Sequence, residues 1–375
     1  MKKMKVMTIV GTRPELIRLS EIIKKADIFF EHIFVHTGQN YDERLNDIFY
    51  SDLGIRKPDY YLDVAGANHG ETIGNLISKT YDLIQKTKPD ALLILGDTNS
   101  ALSALSAKRL KVPIFHMEAG NRCFDENLPE ETNRRIVDHI SDINLPYTEH
   151  ARRYLIAEGG RKEHIFVTGS PMKEVIKAHE KEIEKSNVLN ELGLTEKQYI
   201  VLSAHREENI DCEENFMSLM NAVNKMAEEY NMPIIYSLHP RSAKYINERQ
   251  YKFHSLVKKM PPFNFTDYSK LMRCAYCVVS DSGTMPEEAG VSHFPAVCIR
   301  TSTERPEALD KGCFVLAGIS EDSLLQSVDM AVKLGEENNF GNAVEDYEVD
   351  DVSSTVIRII QSYTKIIDEK VWWKK

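Results

Sequence analysis

The chain has 375 residues, 42% of them hydrophobic, with 57 acidic against 47 basic side chains and a formal net charge of -10. That length holds two packed domains or one large one. The acidic balance excludes the broad basic footprint of a nucleic-acid binder, while leaving room for a local basic cleft that takes a phosphorylated small molecule.

In chain order, Lys2 and Lys3 precede the apolar run MKVMTIV, but Arg13, Glu15 and Arg18 interrupt it before a secretory core forms, and no stretch reaches transmembrane length. Neither a membrane nor a nucleic-acid partner is expected, and the expected location is cytoplasmic. The first strand is KVMTIV, residues 5–10, followed directly by GTRPELIR. Pro14 suits a first helical turn and Gly11 permits close backbone approach. A helix amino end attracts phosphate, so Arg13 and Arg18 read either as a phosphate grip or as solvated arginines of an ordinary βα turn.

Strands HIFVHT and ALLILGD come next, the second ending in Asp97 ahead of a slim helix built on Ser100, Ser103 and Ala104. Asp97 reads equally as a capping acceptor or as a catalytic acid. PIFHME then carries Glu118 beyond the carboxyl end of a buried strand, where open α/β sheets bind ligands. Glu130 follows Pro129 at the next helix start. Two acids near one ligand, held at different pKa values, let one remove a proton while the other delivers one.

Residues 173–197, dense in Lys and Glu at helical spacing, read as a surface helix joining two halves. A second series of strands follows: YIVLSAH at 199–205, PIIYSLH at 233–239, CVVSDSG at 277–283, AVCIR at 296–300 and CFVLAG at 313–318. His205 ends the first of these, as a proton shuttle or a structural histidine, and His239 repeats the arrangement as nucleotide contact or core. In SDSGTMPEEAG the Ser282-Gly283 turn opens a helix whose amides can cradle phosphate, and Glu288 reads as a ribose ligand or as an acid placed on a helix dipole. TSTERPEAL offers Thr303, Glu304 and Arg305 to the same cleft, or forms a solvated turn.

The six cysteines are scattered, as in reduced thiols of a cytoplasmic enzyme, and the Cys274 to Cys277 pair lacks a second ligand pair. No HExxH, DxD-like cluster or Gly-x-Ser-x-Gly elbow is present, so no metal is expected. Polar motifs at strand carboxyl ends in both halves imply an α/β protein of two Rossmann-like, doubly wound domains facing a cleft. The expected division is 1–172 and 173–352, with the helix 353–375 packing back on the first domain.

In order and spacing, GTRPE, GDT, HMEAGNR, PEETNRR, TGSP, SAHREEN, HPR, SDSGT with EEA, and TERPEA resemble the non-hydrolysing UDP-N-acetylglucosamine 2-epimerase family over nearly the whole chain. The resemblance implies a GT-B fold, a homodimer, a UDP-sugar substrate and no cofactor. It implies removal of the C2 proton, expulsion of UDP to leave a 2-acetamidoglycal, and reprotonation on the opposite face as UDP adds back. Asp97, Glu118 and Glu130 are then the acid-base carboxylates, with His205 assisting. Arg13 contacts phosphate, Ser282 and Gly283 form the pyrophosphate loop, Glu288 binds ribose and Arg134 supports the site. Arg18, His239, Thr303 and Arg305 complete the expected substrate contacts.

Departures from the family pattern are Arg18 for its usual lysine, Thr168-Gly169-Ser170-Pro171 for its TGN, Gly283-Thr284 for its double glycine, and Asn40 for a histidine of an allosteric substrate site. The last speaks against activation by substrate. Together with the terminal SYT and VWW they resemble the subgroup that makes UDP-N-acetyl-L-fucosamine from UDP-2-acetamido-2,6-dideoxy-L-talose for capsule or O-antigen assembly. UDP-N-acetylglucosamine is the alternative substrate. A GT-B glycosyltransferase or a non-catalytic UDP-sugar binder is the alternative of another class.

Overall fold

KVMTIV forms β1 (Lys5–Val10), a strand with five of its six residues buried. Burial on both faces requires helices on both sides of a sheet, and hence parallel neighbours joined by crossovers. The computed structural model, which describes residues 3–38 and 50–374, has this arrangement twice. In one sheet β1 is joined by β2 (Glu31–His36), β3 (Tyr60–Tyr61), β4 (Ala91–Leu95), β5 (Ile114–Met117) and β6 (Ile143–Leu145), in the order β3-β2-β1-β4-β5-β6. In the other, β7 (Ile200–Ser203), β8 (Ile234–Ser237), β9 (Val257–Met260), β10 (Cys277–Ser280), β11 (Ala296–Cys298) and β12 (Val315–Leu316) run β12-β11-β10-β7-β8-β9.

All these pairings are parallel, and both sheets have the same winding. Each has a topological switch point, between β1 and β4 in the first and between β7 and β10 in the second. Ligands of such sheets bind outside the carboxyl ends at that point. The four segments that leave it are GTRPE and GDT in one unit, SAHREEN and SDSGT in the other.

Contacts divide the chain into two units, Met1–Lys177 with Glu345–Lys375, and Ala178–Val344. The first core is built on Met7, Ile9, Leu76, Leu92 and Ile114. The second packs Phe216, Met220 and Val223 against Ile234, Leu324 and Val328. The terminal helix Val352–Lys370 lies on the helix Arg13–Phe29 and buries Val356, Ile360 and Ile367.

The divisions fall a few residues from the expected 172 and 352, because the acidic segment before the terminal helix is tied to the first unit. Asp346 accepts from the amides of Glu149 and Ser170 at 3.0 Å each, and Lys173 Nζ reaches Glu348 at 2.7 Å. The charged stretch expected as one helix is three short ones, Met172–Ala178, Glu180–Lys185 and Val188–Glu191. Ser186 breaks it, its hydroxyl accepting from the Val188 amide at 3.3 Å.

Among the described residues no helix is long and apolar enough to cross a membrane, and no group of His, Cys, Asp and Glu is placed to hold a metal ion. Cys274 and Cys277 are both buried and free. Asn40 lies outside the described residues.

Candidate active site

Arg13 is the first residue of the helix that leaves β1, with Pro14 in its first turn, and it is half-buried. One turn on, Arg18 is buried, and its Nη1 contacts Glu118 Oε2. Glu118 follows β5 on a left-handed turn with φ 61° and is itself only 6% exposed. Asn121 Nδ2 donates to its other oxygen at 3.2 Å. Gly96, at φ 72°, forms the floor: a Cβ there would stand 3.5 Å from Glu118 Oε2.

Asp97 does not cap the helical turn Asn99–Ser103, whose N-cap is Thr98. Its carboxylate instead takes Arg134, with Nε at 2.7 Å and Nη2 at 2.6 Å from Oδ2. Arg134 also donates to Glu131 Oε2 at 2.9 Å. Glu130 is half-buried in the first turn of the helix Pro129–Ile140, whereas its neighbour Glu131 is fully buried. Burial pushes the Glu131 carboxyl up, but the Cys123 amide and Arg134 outweigh it and hold it below its usual range.

Sequence reasoning passed over Glu131, and also Glu15. The latter is buried between the β1 and β4 loops and accepts from the Gly11 amide at 3.0 Å, Thr12 Oγ1 at 2.7 Å, Thr98 Oγ1 at 3.2 Å and Ser100 Oγ. Burial outweighs these donors and pushes its carboxyl up to about 7. An unfolded glutamate releases its proton near 4.5. Between those values the folded chain binds more protons. Its stability is therefore fully present below about 4.5 and falls as pH rises through about 7, by about 3 kcal/mol in all. Glu15→Gln should abolish that fall, because a carboxamide binds no proton in this range, and its NH₂ can donate to Ser100 Oγ while its oxygen keeps the other three donors. Melting temperatures measured between about pH 5 and pH 8 check this. A variant that loses stability with rising pH as steeply as the unmodified protein would contradict it.

In the second unit, His205 stands just past β7. Its Nδ1 lies 3.1 Å from Asp281 Oδ1, and its ring is 5.2 Å from that of His239. Asp281, fully buried at the end of β10, also accepts the amides of His205 at 2.8 Å and Arg206 at 2.9 Å, and Asn209 Nδ2 at 3.2 Å. Burial alone would raise its carboxyl, but His205 and these amides bring it down to about 2. Burial holds the His239 imidazole at about 4, with the His205 charge adding to the effect. His239 Nδ1 accepts from the Arg241 amide at 3.2 Å and so caps its helix.

From the β10 turn, Ser282 Oγ meets Thr284 Oγ1 at 2.9 Å, which in turn donates to Glu288 Oε2 at 3.2 Å. A Cβ at position 283 would lie 2.4 Å from Glu304 Oε1, so any larger residue there must displace that carboxylate. The TERPE segment is more buried than a solvated turn. Glu304 accepts from Arg300 at 2.6 Å and Arg206 at 3.3 Å. Arg305, 1% exposed, reaches Glu287 Oε1 through Nε at 2.7 Å and Nη2 at 2.6 Å. Its guanidinium is thus committed to a buried pair. Thr303 is half-buried and accepts from the Arg305 amide at 3.1 Å.

Asp281, Glu287 and Glu304 each lie inside a motif visible in the sequence. Asp281 and Glu287 take their partners from segments that follow other strands, and Glu304 adds Arg206 from such a segment to its near neighbour Arg300, so these longer pairings have no signature in local spacing.

A family model described as UDP-N-acetylglucosamine 2-epimerase matches residues 23–361. Among solved structures, UDP-N-acetylglucosamine 2-epimerase from Rickettsia bellii is similar at 46% identity and a TM-score of 0.92, over 99% of this chain and 100% of that one. UDP-GlcNAc 2-epimerase from Methanocaldococcus jannaschii, solved in complex with UDP-GlcNAc and UDP, is similar at 32% identity and a TM-score of 0.87, over 96% and 99%. The UDP-2,3-diacetamido-2,3-dideoxy-D-glucuronate 2-epimerase of Pseudomonas aeruginosa is 35% identical over 332 residues, 86% of this chain and 91% of its own length. The match to the Rickettsia structure, over 99% of this chain, takes in both six-stranded parallel sheets, and with them the strand-end acids. The chain accordingly belongs to the UDP-N-acetylglucosamine 2-epimerase family: it is a C2 epimerase, hence an isomerase, on a GT-B fold.

Proposed function

We propose that the substrate is UDP-2-acetamido-2,6-dideoxy-L-talose and the product UDP-N-acetyl-L-fucosamine, with Glu118 at the centre of the chemistry. The observation that carries this reading is the buried contact of Arg18 with Glu118. A carboxylate set beyond a strand end, shielded from water and oriented by a guanidinium is equipped to exchange a proton with a bound ligand. The planar guanidinium also stands where the family usually has lysine, an exchange that alters donor geometry.

In this reading one acid removes the C2 proton as the C1–O bond to UDP breaks and the C1–C2 double bond forms. Another acid then protonates C2 from the opposite face as UDP re-forms its bond to C1. Proton and leaving group both return, so the reaction is redox-neutral and requires no cofactor. Glu118, Asp97 and Glu130 share the proton work, and Arg134 holds Asp97 in place. Arg13, Ser282 and Gly283 bind the diphosphate, Glu288 binds the ribose, and His205 assists departure of UDP. Arg18, His239 and Thr303 complete the substrate contacts. Arg305 acts through Glu287 rather than on the sugar. The protein works as a cytoplasmic homodimer supplying capsule or O-antigen synthesis.

A second reading, with UDP-N-acetylglucosamine as substrate, is favoured by the names of the Rickettsia and Methanocaldococcus structures. The Pseudomonas relative is named for a third 2-acetamido sugar nucleotide, which supports variation of the sugar within the family. NMR in D₂O with each sugar nucleotide separately distinguishes the readings. Deuterium entry at C2 with inversion is expected for the 6-deoxy-L-talose substrate. Turnover of UDP-N-acetylglucosamine alone would select the second reading, and exchange with neither would favour a transferase or a silent binder.

A further inference from the structure

We propose that Asp138 is a positioning residue for Glu118, clamping the turn that carries this acid through contacts with His116, Gly120 and Arg122. The inference rests on the proposed role of Glu118. A glutamate at φ 61° occupies a region that side chains rarely adopt, and such a conformation persists only where the surroundings over-determine it. Gly120, two residues on, is also left-handed at φ 81°. The β5 pairing reaches only as far as the Glu118 amide, which donates to Leu145 O at 3.1 Å.

Beyond that point one carboxylate takes over. Asp138, from the helix Pro129–Ile140, accepts the Gly120 amide at 3.1 Å on Oδ2 and 3.2 Å on Oδ1. Arg122 Nη1 donates to Oδ2 at 2.7 Å and to Asn121 O at 2.7 Å. His116 Nδ1 lies 2.9 Å from Oδ1. Asp138 therefore touches residues two before, two after and four after Glu118. The other His116 nitrogen is 2.8 Å from the carbonyl of Gly96, the residue that forms the floor under the Glu118 carboxylate. The acid and its floor are thus fixed from the same point.

His116, Arg122 and Asp138 are all nearly inaccessible, at 1%, 1% and 3% exposure. Burial would raise the Asp138 carboxyl, but His116 and Arg122 hold it below its usual range. Buried ion pairs of this kind add little net stability over a well-packed apolar cluster. What they supply is one geometry, and the geometry here is that of the Glu118 turn.

The test compares Asp138→Asn with Asp142→Asn. Asp142 is a similarly buried carboxylate at the opposite end of β5, where it accepts from the Ile114 amide at 3.0 Å and Lys108 Nζ at 2.7 Å. Asp138→Asn should lower kcat by about 10- to 100-fold, leave KM within about threefold and speed hydrogen exchange of the Gly120 amide by at least about tenfold. Asp142→Asn should lower thermal stability and leave kcat within about twofold. Unchanged kcat in Asp138→Asn, or an equal loss in Asp142→Asn, would overturn the positioning role while leaving the epimerase reading intact. No C2 exchange by the unmodified protein would overturn the functional reading instead. The clamp would then be decided by the Gly120 amide, and unchanged exchange in Asp138→Asn would overturn it. Should Asp138→Asn fail to fold, His116→Asn removes the contact that ties Asp138 to the Gly96 floor while leaving the Gly120 amide bonded, and unchanged kcat there would overturn the positioning role.

Discussion

Glu118→Gln is expected to lower turnover by at least about 10²-fold while leaving UDP affinity within about tenfold. The substitution preserves shape and removes the ability to take a proton. Arg18 and Asn121 both donate to this side chain, one to each oxygen, so an amide keeps one of the two bonds and turns its NH₂ toward the other donor. The carboxamide therefore also loses either the Arg18 or the Asn121 contact. The nucleotide contacts proposed for Ser282, Gly283 and Glu288 belong to the second unit and are untouched, hence the small effect on UDP. Single-turnover C2 deuteration with UDP titration in parallel checks both halves. Unchanged turnover would remove Glu118 from the mechanism.

Asp281→Asn should be nearly as damaging, and by a different route. Three N–H groups donate to Oδ2 of this carboxylate, the amides of His205 and Arg206 and Asn209 Nδ2, while His205 Nδ1 stands 3.1 Å from Oδ1. An asparagine keeps its oxygen on the two amides and presents NH₂ to His205 Nδ1. The imidazole must then accept at Nδ1 and carry its proton on Nε2, or rotate away. A reversed tautomer is costly wherever a carboxylate orients a working histidine. We expect kcat to fall by at least about 10²-fold.

Stability should fall too. The folded carboxyl sits at about 2 against 3.8 unfolded, so the shift stabilises the fold above pH 3.8 by about 2 kcal/mol, and this is lost as pH falls toward 2. The variant lacks that contribution at neutral pH. Urea unfolding near pH 7 together with initial rates tests the pair of effects. Full activity would place His205 outside the reaction.

Both substitutions act on groups whose surroundings come from distant parts of the chain, and here sequence reading reached its limit. GTRPE, GDT, HMEAG, SAHREEN and SDSGT stand out because each follows a buried strand, and parallel winding gathers those strands at two switch points. Arg18, Glu118, Asp97, His205 and Ser282 were legible on that basis. Asp97 was ambiguous between helix cap and acid until Arg134, 37 positions away, was seen to take its carboxylate. Arg305 read either as a substrate contact or as part of a solvated turn, whereas Glu287 draws it inside.

The unanticipated strands have the same explanation. β3 and β6 are the edges of one sheet and β9 is an edge of the other. An edge strand pairs on one side only, so short segments such as Tyr60–Tyr61, or Val257–Met260 with its two exposed lysines, form no apolar run.

The sequence by itself determined the alternation of buried strands with helices, the two-fold repetition of a parallel sheet and the order of the strand-end motifs. Hydrophobic periodicity is local, and parallel crossovers leave few ways to satisfy it. Only the tertiary structure decided which acids became buried and what each one meets. Glu131 rather than Glu130 lies inside, Glu15 bridges two loops, Asp138 clamps the Glu118 turn and Asp281 orients His205. Desolvation and pairing set the behaviour of a carboxylate, and both depend on residues brought together by the fold from separate parts of the chain.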